Sequence, residues 1–311
     1  MSVQLLAYTK KYDDAIHALE SGILYGKGIK LKMLKNHFLD RSQPFRLIYP
    51  VLALADEEKI IGTSVGAATQ LLINGCGFDA GFMYDVKVHP AYRKKGVGLS
   101  IAKHIYQNFF RKQGFEKNFT TLKLTNTPVY KISARIASRF CLYDFAYLTL
   151  PTHIRVTEPF QKKNKPVFGV TLFDADNVPP GFSTTLPCGL SVFHTFLSYR
   201  LKIEKISLLY RYGLRLLKKI QPSKYALLPG EQEVMEFVTL FDHTEDNIGQ
   251  INEVLSHLRN ENKKFLLVCC RKGDSIYQYL KKYSINTYGY CMATDFPLSG
   301  ADAVTIDVRC L

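Results

Sequence analysis

The chain has 311 residues, 47% hydrophobic and 22% charged, with no low-complexity tract, which excludes a disordered or fibrous protein and gives room for two ordinary domains. Seven cysteines without a C-x-x-C pair argue against a disulfide framework, and no run approaches the roughly 18 apolar residues of a membrane-spanning helix. A net charge of +14 asks for an anionic partner: nucleic acid, a membrane surface, or a small molecule with several phosphates.

The opening "MSVQLLAYTKKYDD" reaches a lysine pair after a very short apolar run, unlike a secretory signal. With the unpaired cysteines, this points to a cytoplasmic protein. The stretches "DDAIHALESGILYG" and "KLKMLKNHFL" carry apolar residues three and four apart and predict two helices. Then the period changes. "FRLIYPVLALADEEKIIGTSVGAATQLLI" reads as two strands around a polar turn at residues 56–59, and "FMYDVKV" as a third strand. "VGLSIAKHIYQNFFRK" places Leu99, Ala102, Ile105, Phe109 and Phe110 on one helical face. Strand "FTTLKLTN", helix "VYKISARIASRF" and strand "LYDFAYLTL" close an α+β unit near residue 155.

The stretch "VTEPFQKKNKPVFG" reads as a linker or exposed connection. Beyond a basic stretch at residues 198–224 come strand "EVMEFVTLF", helix "NIGQINEVLSHLRN", strand "KFLLVCC", helix "DSIYQYLKKY", and strands "NTYGYCMATDF" and "AVTIDVRC". This repeats the strand, turn, helix, strand, helix, strand order of the first half. Cys269 and Cys270 read as the end of a buried strand rather than a redox centre. His104, His194 and His243 lack metal-ligand spacing, so no metal site is expected.

The segment "VKVHPAYRKKGVGLS" turns from a strand into a helix through Arg93-Lys94-Lys95-Gly96-Val97-Gly98. A helix N-terminus offers unpaired N–H groups and the positive end of its dipole, and glycines let the backbone approach an anion. The P-loop of nucleoside triphosphatases needs Lys-Ser/Thr after its last glycine, where Leu99 stands; the dinucleotide fingerprint needs a third glycine, where Ile101 stands. What remains is R-x-x-G-x-G after a strand ending in V-x-P. With the surrounding order of elements, this resembles motif A of the GCN5-related N-acetyltransferase (GNAT) superfamily over about residues 1–155.

The resemblance implies an α+β fold with a mixed sheet and a loop whose amides hold the pyrophosphate of acetyl-coenzyme A. It implies that the strand before the loop splays from its neighbour, with the backbone of Val86, Lys87 and Val88 pairing with the pantetheine arm. It further implies that an N–H there faces the oxyanion, that Asn126 touches the cofactor, and that Lys94 and Lys95 neutralise phosphate. Asp85 is the implied base, with Asp79 a weaker candidate. The family's thiolate acid is a tyrosine where this chain has Ala137 or Ser138. Tyr130 and Tyr143 are the substitutes at hand.

A second such unit would place its pyrophosphate turn at "DHTEDNIG", where Asp242, Glu245 and Asp246 oppose a phosphate and read instead as caps of the following helix. An active unit, 1–155, followed by a degenerate copy, 156–311, resembles the layout of the plant hookless-type N-acetyltransferases, as does "RFCLYDFAYLTLPTHIRV". The implied function is acetyl transfer from acetyl-coenzyme A to an amine-bearing acceptor, a small molecule or a protein, entering between the halves. The competing reading is a non-catalytic module of the same fold that binds a protein partner. Residues 198–224 carry eight cations among leucines, isoleucines and tyrosines. They suit an anionic membrane or nucleic acid, but read first as a strand and helix packed between domains with a solvated basic face.

Overall fold

Apolar strands from both halves of the chain join one mixed sheet in the computed structural model, which describes residues 3–55, 59–137, 139–162 and 167–311. The first half runs β1 (Gln4–Ala7), α1 (Asp13–Ser21), β2 (Ile29–Leu34), β3 (Ile48–Leu54), β4 (Ile60–Ile73), β5 (Cys76–Val88), α2 (Val97–Ile105), β6 (Lys117–Lys123), α3 (Thr127–Ile136) and β7 (Cys141–Pro151). There follow β8 (Phe168–Thr171), β9 (Ser183–Thr185), β10 (Ser191–Phe193), β11 (Arg200–Ile206), α4 (Leu208–Ile220) and α5 (Pro222–Tyr225). The chain closes with β12 (Val234–Met235), β13 (Phe237–Phe241), α6 (Ile251–Asn260), β14 (Phe265–Cys270), α7 (Ser275–Leu280), β15 (Asn286–Thr294) and β16 (Val304–Asp307). The main sheet has the order β1-β3-β4-β5-β6-β15-β7-β14-β13-β10-β9, with β16 against β4 and β8.

The α+β class and the mixed sheet are as expected. One expected helix is not: "KLKMLKNHFL" contains strand β2, antiparallel to β11 in a small separate sheet with β12. Its Ile29, Leu31 and Met33 alternate with Lys30 and Lys32, a period of two that the apolar spacing had masked. Residues 56–58 of the expected polar turn and 163–166 of the expected linker lie outside the described residues.

Each half contributes one parallel strand pair bridged by a helix: β5 and β6 through α2, β13 and β14 through α6. Between the two pairs, β15 and β7 lie antiparallel to one another in exchanged positions. β15 comes from the second half yet pairs with β6, as at Cys291↔Leu122; β7 comes from the first half yet pairs with β14, as at Leu148↔Val268. Each half therefore completes its sheet with a strand of the other, and one core cluster joins Phe82 and Phe119 to Phe145, Phe241 and Cys269.

Helix α2 is amphipathic and buries Val97, Ile101, Ala102 and Ile105 against Val51, Ala53, Ile61 and Met83, with Leu99 only half-buried. Burial of each large side chain is worth about 1.5–3 kcal/mol. A π turn over Tyr106–Phe110 follows, and Phe109 and Phe110 both remain in the core. The close approach depends on Gly66: a Cβ there would lie 2.7 Å from Ile105 Cγ2 and 2.9 Å from Phe109 Cδ1.

Candidate active site

Strands β5 and β6 pair in parallel only from Ala80↔Lys117 to Phe82↔Phe119, and beyond that they part. The cause is local. Between Thr63↔Lys87 and Val65↔Tyr84, strand β5 holds one residue more than β4, and Asp85 takes a left-handed φ of 52°. Such a bulge bends its strand, and Ser64 Oγ donates to Tyr84 O at 2.9 Å across it. Lys87 and Val88 stay paired with Thr63 and Gly62 of β4, while the edge of β5 toward β6 is open from Met83 onward.

At the wide end of this groove the chain folds into the basic turn. His89 Nδ1 accepts from Ala91 N–H in the turn Pro90–Tyr92, and Arg93 Nε donates to Val88 O at 3.2 Å. Lys94 and Gly96 then take φ values of 64° and 85°, which turn the chain into α2. Ser100 N–H donates to Gly96 O, so the amides of Val97, Gly98 and Leu99 stand ahead of the helical ladder. A Cβ on Gly96 would meet nothing within 4 Å, so the space over the turn is open. Arg93, Lys94 and Lys95 are exposed there, with Lys95 Nζ 5.1 Å from the Tyr92 ring centroid. Asn126 is exposed at the start of α3, where β6 ends. The helix starts that follow β5 and β6 thus flank the groove mouth with 93–98 on one side and Asn126 on the other.

The expected base does not suit its task. Asp85 is buried, with Lys35 Nζ at 3.0 Å, Arg41 at 3.1 Å and Lys87 Nζ at 3.5 Å; Glu20 completes the cluster at 3.1 Å from Lys35 and 2.5 Å from Lys87. Burial alone would raise the Asp85 pKa, yet Lys35, Lys87 and Arg41 outweigh it and hold the carboxyl well below the usual carboxylate range. A carboxylate so held does not take a proton from an ammonium near neutral pH. Asp79 is exposed opposite Gln70, before the strands part.

Of the two substitute acids, Tyr143 is committed elsewhere: its hydroxyl lies 2.7 Å from Val167 O and 2.8 Å from Asp302 O, and burial pushes its pKa up to about 12. Tyr130 is exposed on α3, its ring edge-on to Phe140 at 5.0 Å. Ala137 caps the end of the same helix, and Ser138 lies outside the described residues.

Two features carried no local sequence signal. Lys123 ends β6 beside the groove, its Nζ 4.9 Å from the Tyr288 ring centroid, and burial lowers its pKa. Between the halves lies a pocket lined by Arg41, Tyr147, Thr195, Tyr199, Thr239 and Arg309. Thr195 and Thr239 share a hydrogen bond at 2.7 Å, while Arg41 is held by Asp85 and Arg309 by Asp307. Pro44, Phe193, Leu267, Val308 and Leu311 complete a mixed wall around a cavity of about 20 Å³, its cations are compensated, and its residues come from elements distant in sequence. Among the described residues, no group of three or more His, Cys, Asp or Glu is placed to hold a metal ion.

The second half is closed where the first is open. β13 and β14 remain paired from Phe237↔Phe265 to Leu240↔Val268. In the turn after β13, Thr244 N–H donates to Asn247 Oδ1 and Asp246 N–H to Thr244 Oγ1, so amides suited to an anion serve the turn itself. The acidic residues do not cap α6, as its spacing had suggested: Thr171 donates to Asp242, and Lys162 pairs with Glu245 and Asp246.

Residues 25–132, from before β2 into α3, match the model of the acetyltransferase (GNAT) family. No curated protein matches the chain in sequence. Among solved structures, Saccharomyces cerevisiae N-myristoyltransferase with bound myristoyl-CoA is similar at 9% identity and TM-score 0.59, covering 98% of this chain and 81% of that one. A second structure of that enzyme, with myristoyl-CoA and inhibitors, gives 9% identity, TM-score 0.60, and coverage of 96% and 81%. A GCN5-related N-acetyltransferase from Kribbella flavida aligns with 94% of this chain at 9% identity and TM-score 0.48, covering 70% of its own length. At 9% identity the likeness to the N-myristoyltransferase shows the fold alone, shared across nearly the whole chain and consistent with tandem GNAT-like units.

Proposed function

We propose that the chain is an acyl-coenzyme A-dependent N-acyltransferase, with acetyl-coenzyme A as donor and a primary amine as acceptor. The observation that carries this reading is the β5–β6 groove, opened by the bulge at Asp85 and ending in the free amides and cations of 93–98. Pyrophosphate fits the amides of Val97 and Gly98 with Arg93, Lys94 and Lys95 around them, and the open edge at Val86, Lys87 and Val88 fits the pantetheine amides. A short acyl group is favoured because the narrow end of the groove closes on packed aromatics: Phe82 stacks on Tyr84 at 5.2 Å and lies tilted to Phe119 at 5.3 Å, ring centre to ring centre. The family match at residues 25–132 supports the same chemistry.

The amine attacks the thioester carbonyl, an N–H on the open edge of β5 stabilises the developing oxyanion, and the C–S bond breaks to release the thiolate. We assign the amine's proton to Lys123 in place of Asp85, and the thiolate's proton to Tyr130. The acceptor enters between the halves, and the amine attacks in a direct ternary complex. An open first half and a closed second fit the hookless-type layout, with 1–155 as the working unit and 156–311 as its degenerate copy.

The test is thiol release from acetyl-, hexanoyl- and myristoyl-coenzyme A across a panel of primary amines, peptides and polyamines. Acetyl-coenzyme A with at least one acceptor class is expected to turn over fastest. Faster turnover of the myristoyl donor would overturn the short-acyl reading. A second reading, a module that keeps the fold to bind a protein partner, draws on Ala137 in place of the family tyrosine. It predicts donor binding without thiol release from any pair.

A further inference from the structure

Of the basic stretch at residues 198–224, strand β11 is packed against β2 of the first half as expected, but helix α4 is not packed between the halves. Helix α4 buries none of its 13 residues, although its sequence is LLYRYGLRLLKKI. Leu209 is 81% exposed, Tyr212 67%, Leu216 57% and Ile220 63%. At about 100° per residue these four fall within one stripe along the helix, and Arg215 and Lys219 border it. The other two cations are tied down: Arg211 pairs with Glu231 at 2.8 Å, and Lys218 Nζ donates to Leu228 O at 2.7 Å. At its start the helix is also anchored to the first half, where Ser207 N–H donates to Gly28 O and the Tyr210 ring lies on Gly28.

The strand that leads into α4 adds charge. Lys202 and Lys205 of β11 stand directly opposite Lys32 and Lys30 of β2. Like charges in register destabilise a sheet, and among these four only Lys202 has a nearby carboxylate, Glu204 at 3.6 Å, among the described residues. The alternate residues Ile203 and Ile206 are buried. An uncovered apolar stripe with bordering cations, beside a lysine ladder, asks for a partner that takes up apolar side chains and carries dense negative charge.

We infer that α4 docks on an anionic lipid bilayer surface, lying in its plane with Leu209, Tyr212, Leu216 and Ile220 among the acyl chains and Arg215 and Lys219 at the headgroups. Nucleic acid would satisfy the cations and leave the leucine stripe in water. A second copy of this chain would bring the same positive charge against itself. No helix among the described residues is long and apolar enough to cross a membrane, so the inferred association is peripheral.

The full chain contains no tryptophan, so Leu209→Trp supplies a single emission reporter on an exposed site. With phosphatidylcholine–phosphatidylserine vesicles its emission is expected to shift to the blue, and the wild type to co-float. Phosphatidylcholine alone is expected to hold several-fold less protein. The triple variant Leu209→Ser, Leu216→Ser, Ile220→Ser should lose at least about tenfold in partitioning. Arg215→Gln with Lys219→Gln should lose binding only where phosphatidylserine is present, by roughly fivefold per charge. All these sites are exposed, so circular dichroism and Tm should be unchanged. The inference is overturned if the wild type does not partition, or if the triple serine variant partitions as well as the wild type. It is equally overturned if the stripe proves to mediate self-association, seen as a dimer in sedimentation that the triple variant abolishes.

Discussion

Asp85 shows how a single backbone feature sets both the shape and the charge of the site. Its left-handed φ makes the bulge that opens the groove, and its side chain holds Lys35, Arg41 and Lys87 beneath the open edge. Lys35→Met removes a buried cation and leaves Asp85 and Glu20 short of a partner, so a loss of about 3–5 kcal/mol is expected in urea unfolding. The folded pKa of Asp85 is depressed, so its stabilisation is fully present above the unfolded value near 4 and is lost as pH falls below it toward the folded pKa. Asp85→Asn should flatten the stability profile in that acid window. His243 acts at milder pH. Burial lowers its pKa to about 4, against a carbonyl bond to Cys269 O at 2.9 Å that favours the charged form. Its contribution is present above about 6.5 and lost between about 6.5 and 4, so His243→Gln should reduce the slope of stability with pH over that range. For turnover, Lys123→Met should flatten the rise of kcat with pH, since only neutral lysine accepts the amine's proton.

At the scale of elements, the basic turn and α2 were legible because glycine, cation and apolar spacing lie within one local stretch. Residues 93–96 form an exposed turn that leads directly into α2. What was not legible depended on distant partners. β2 looked helical because its pairing strand, β11, begins at Arg200, far along the chain. The pocket between the halves draws on Arg41, Tyr147, Thr195 and Arg309, whose separation in sequence leaves no pattern to read. The charge cluster that disqualifies Asp85 as a base likewise joins α1, β5 and the segment between β2 and β3. Close packing of α2 on β4 gives a direct test of how the turn is held. Gly66→Val would press on Ile105 and Phe109, cost about 1–3 kcal/mol, and weaken donor binding by displacing the start of α2. Thermal melts and donor titration of the same variant would show both effects.

At the scale of the whole molecule, the duplicated order of elements was readable, but the exchange of β7 and β15 was not. Local periodicity identifies a strand and says nothing of its neighbours. The consequence is physical: residues 1–155 alone lack β15, which leaves the inner edges of β6 and β7 unpaired, and residues 156–311 alone leave β14 without β7. Neither fragment is expected to be a stable monomer by itself, while co-expression of the two should restore folded material. The asymmetry between the halves also sets the stoichiometry. Only the first half opens its parallel pair and frees its turn amides, so one donor site per chain is expected.

The most direct test is calorimetric titration of acetyl-coenzyme A into the wild type, Gly96→Asn and Gly96→Asp. Asparagine and aspartate both tolerate the positive φ at Gly96 and fill the same open space, so the variants differ only in charge. The account predicts one site per chain in the wild type, binding retained in Gly96→Asn, and a loss of at least about tenfold in Gly96→Asp, where a carboxylate would face the pyrophosphate. Equal affinity of the two variants, or no binding to the wild type, would contradict a phosphate site in this turn and with it the proposed function.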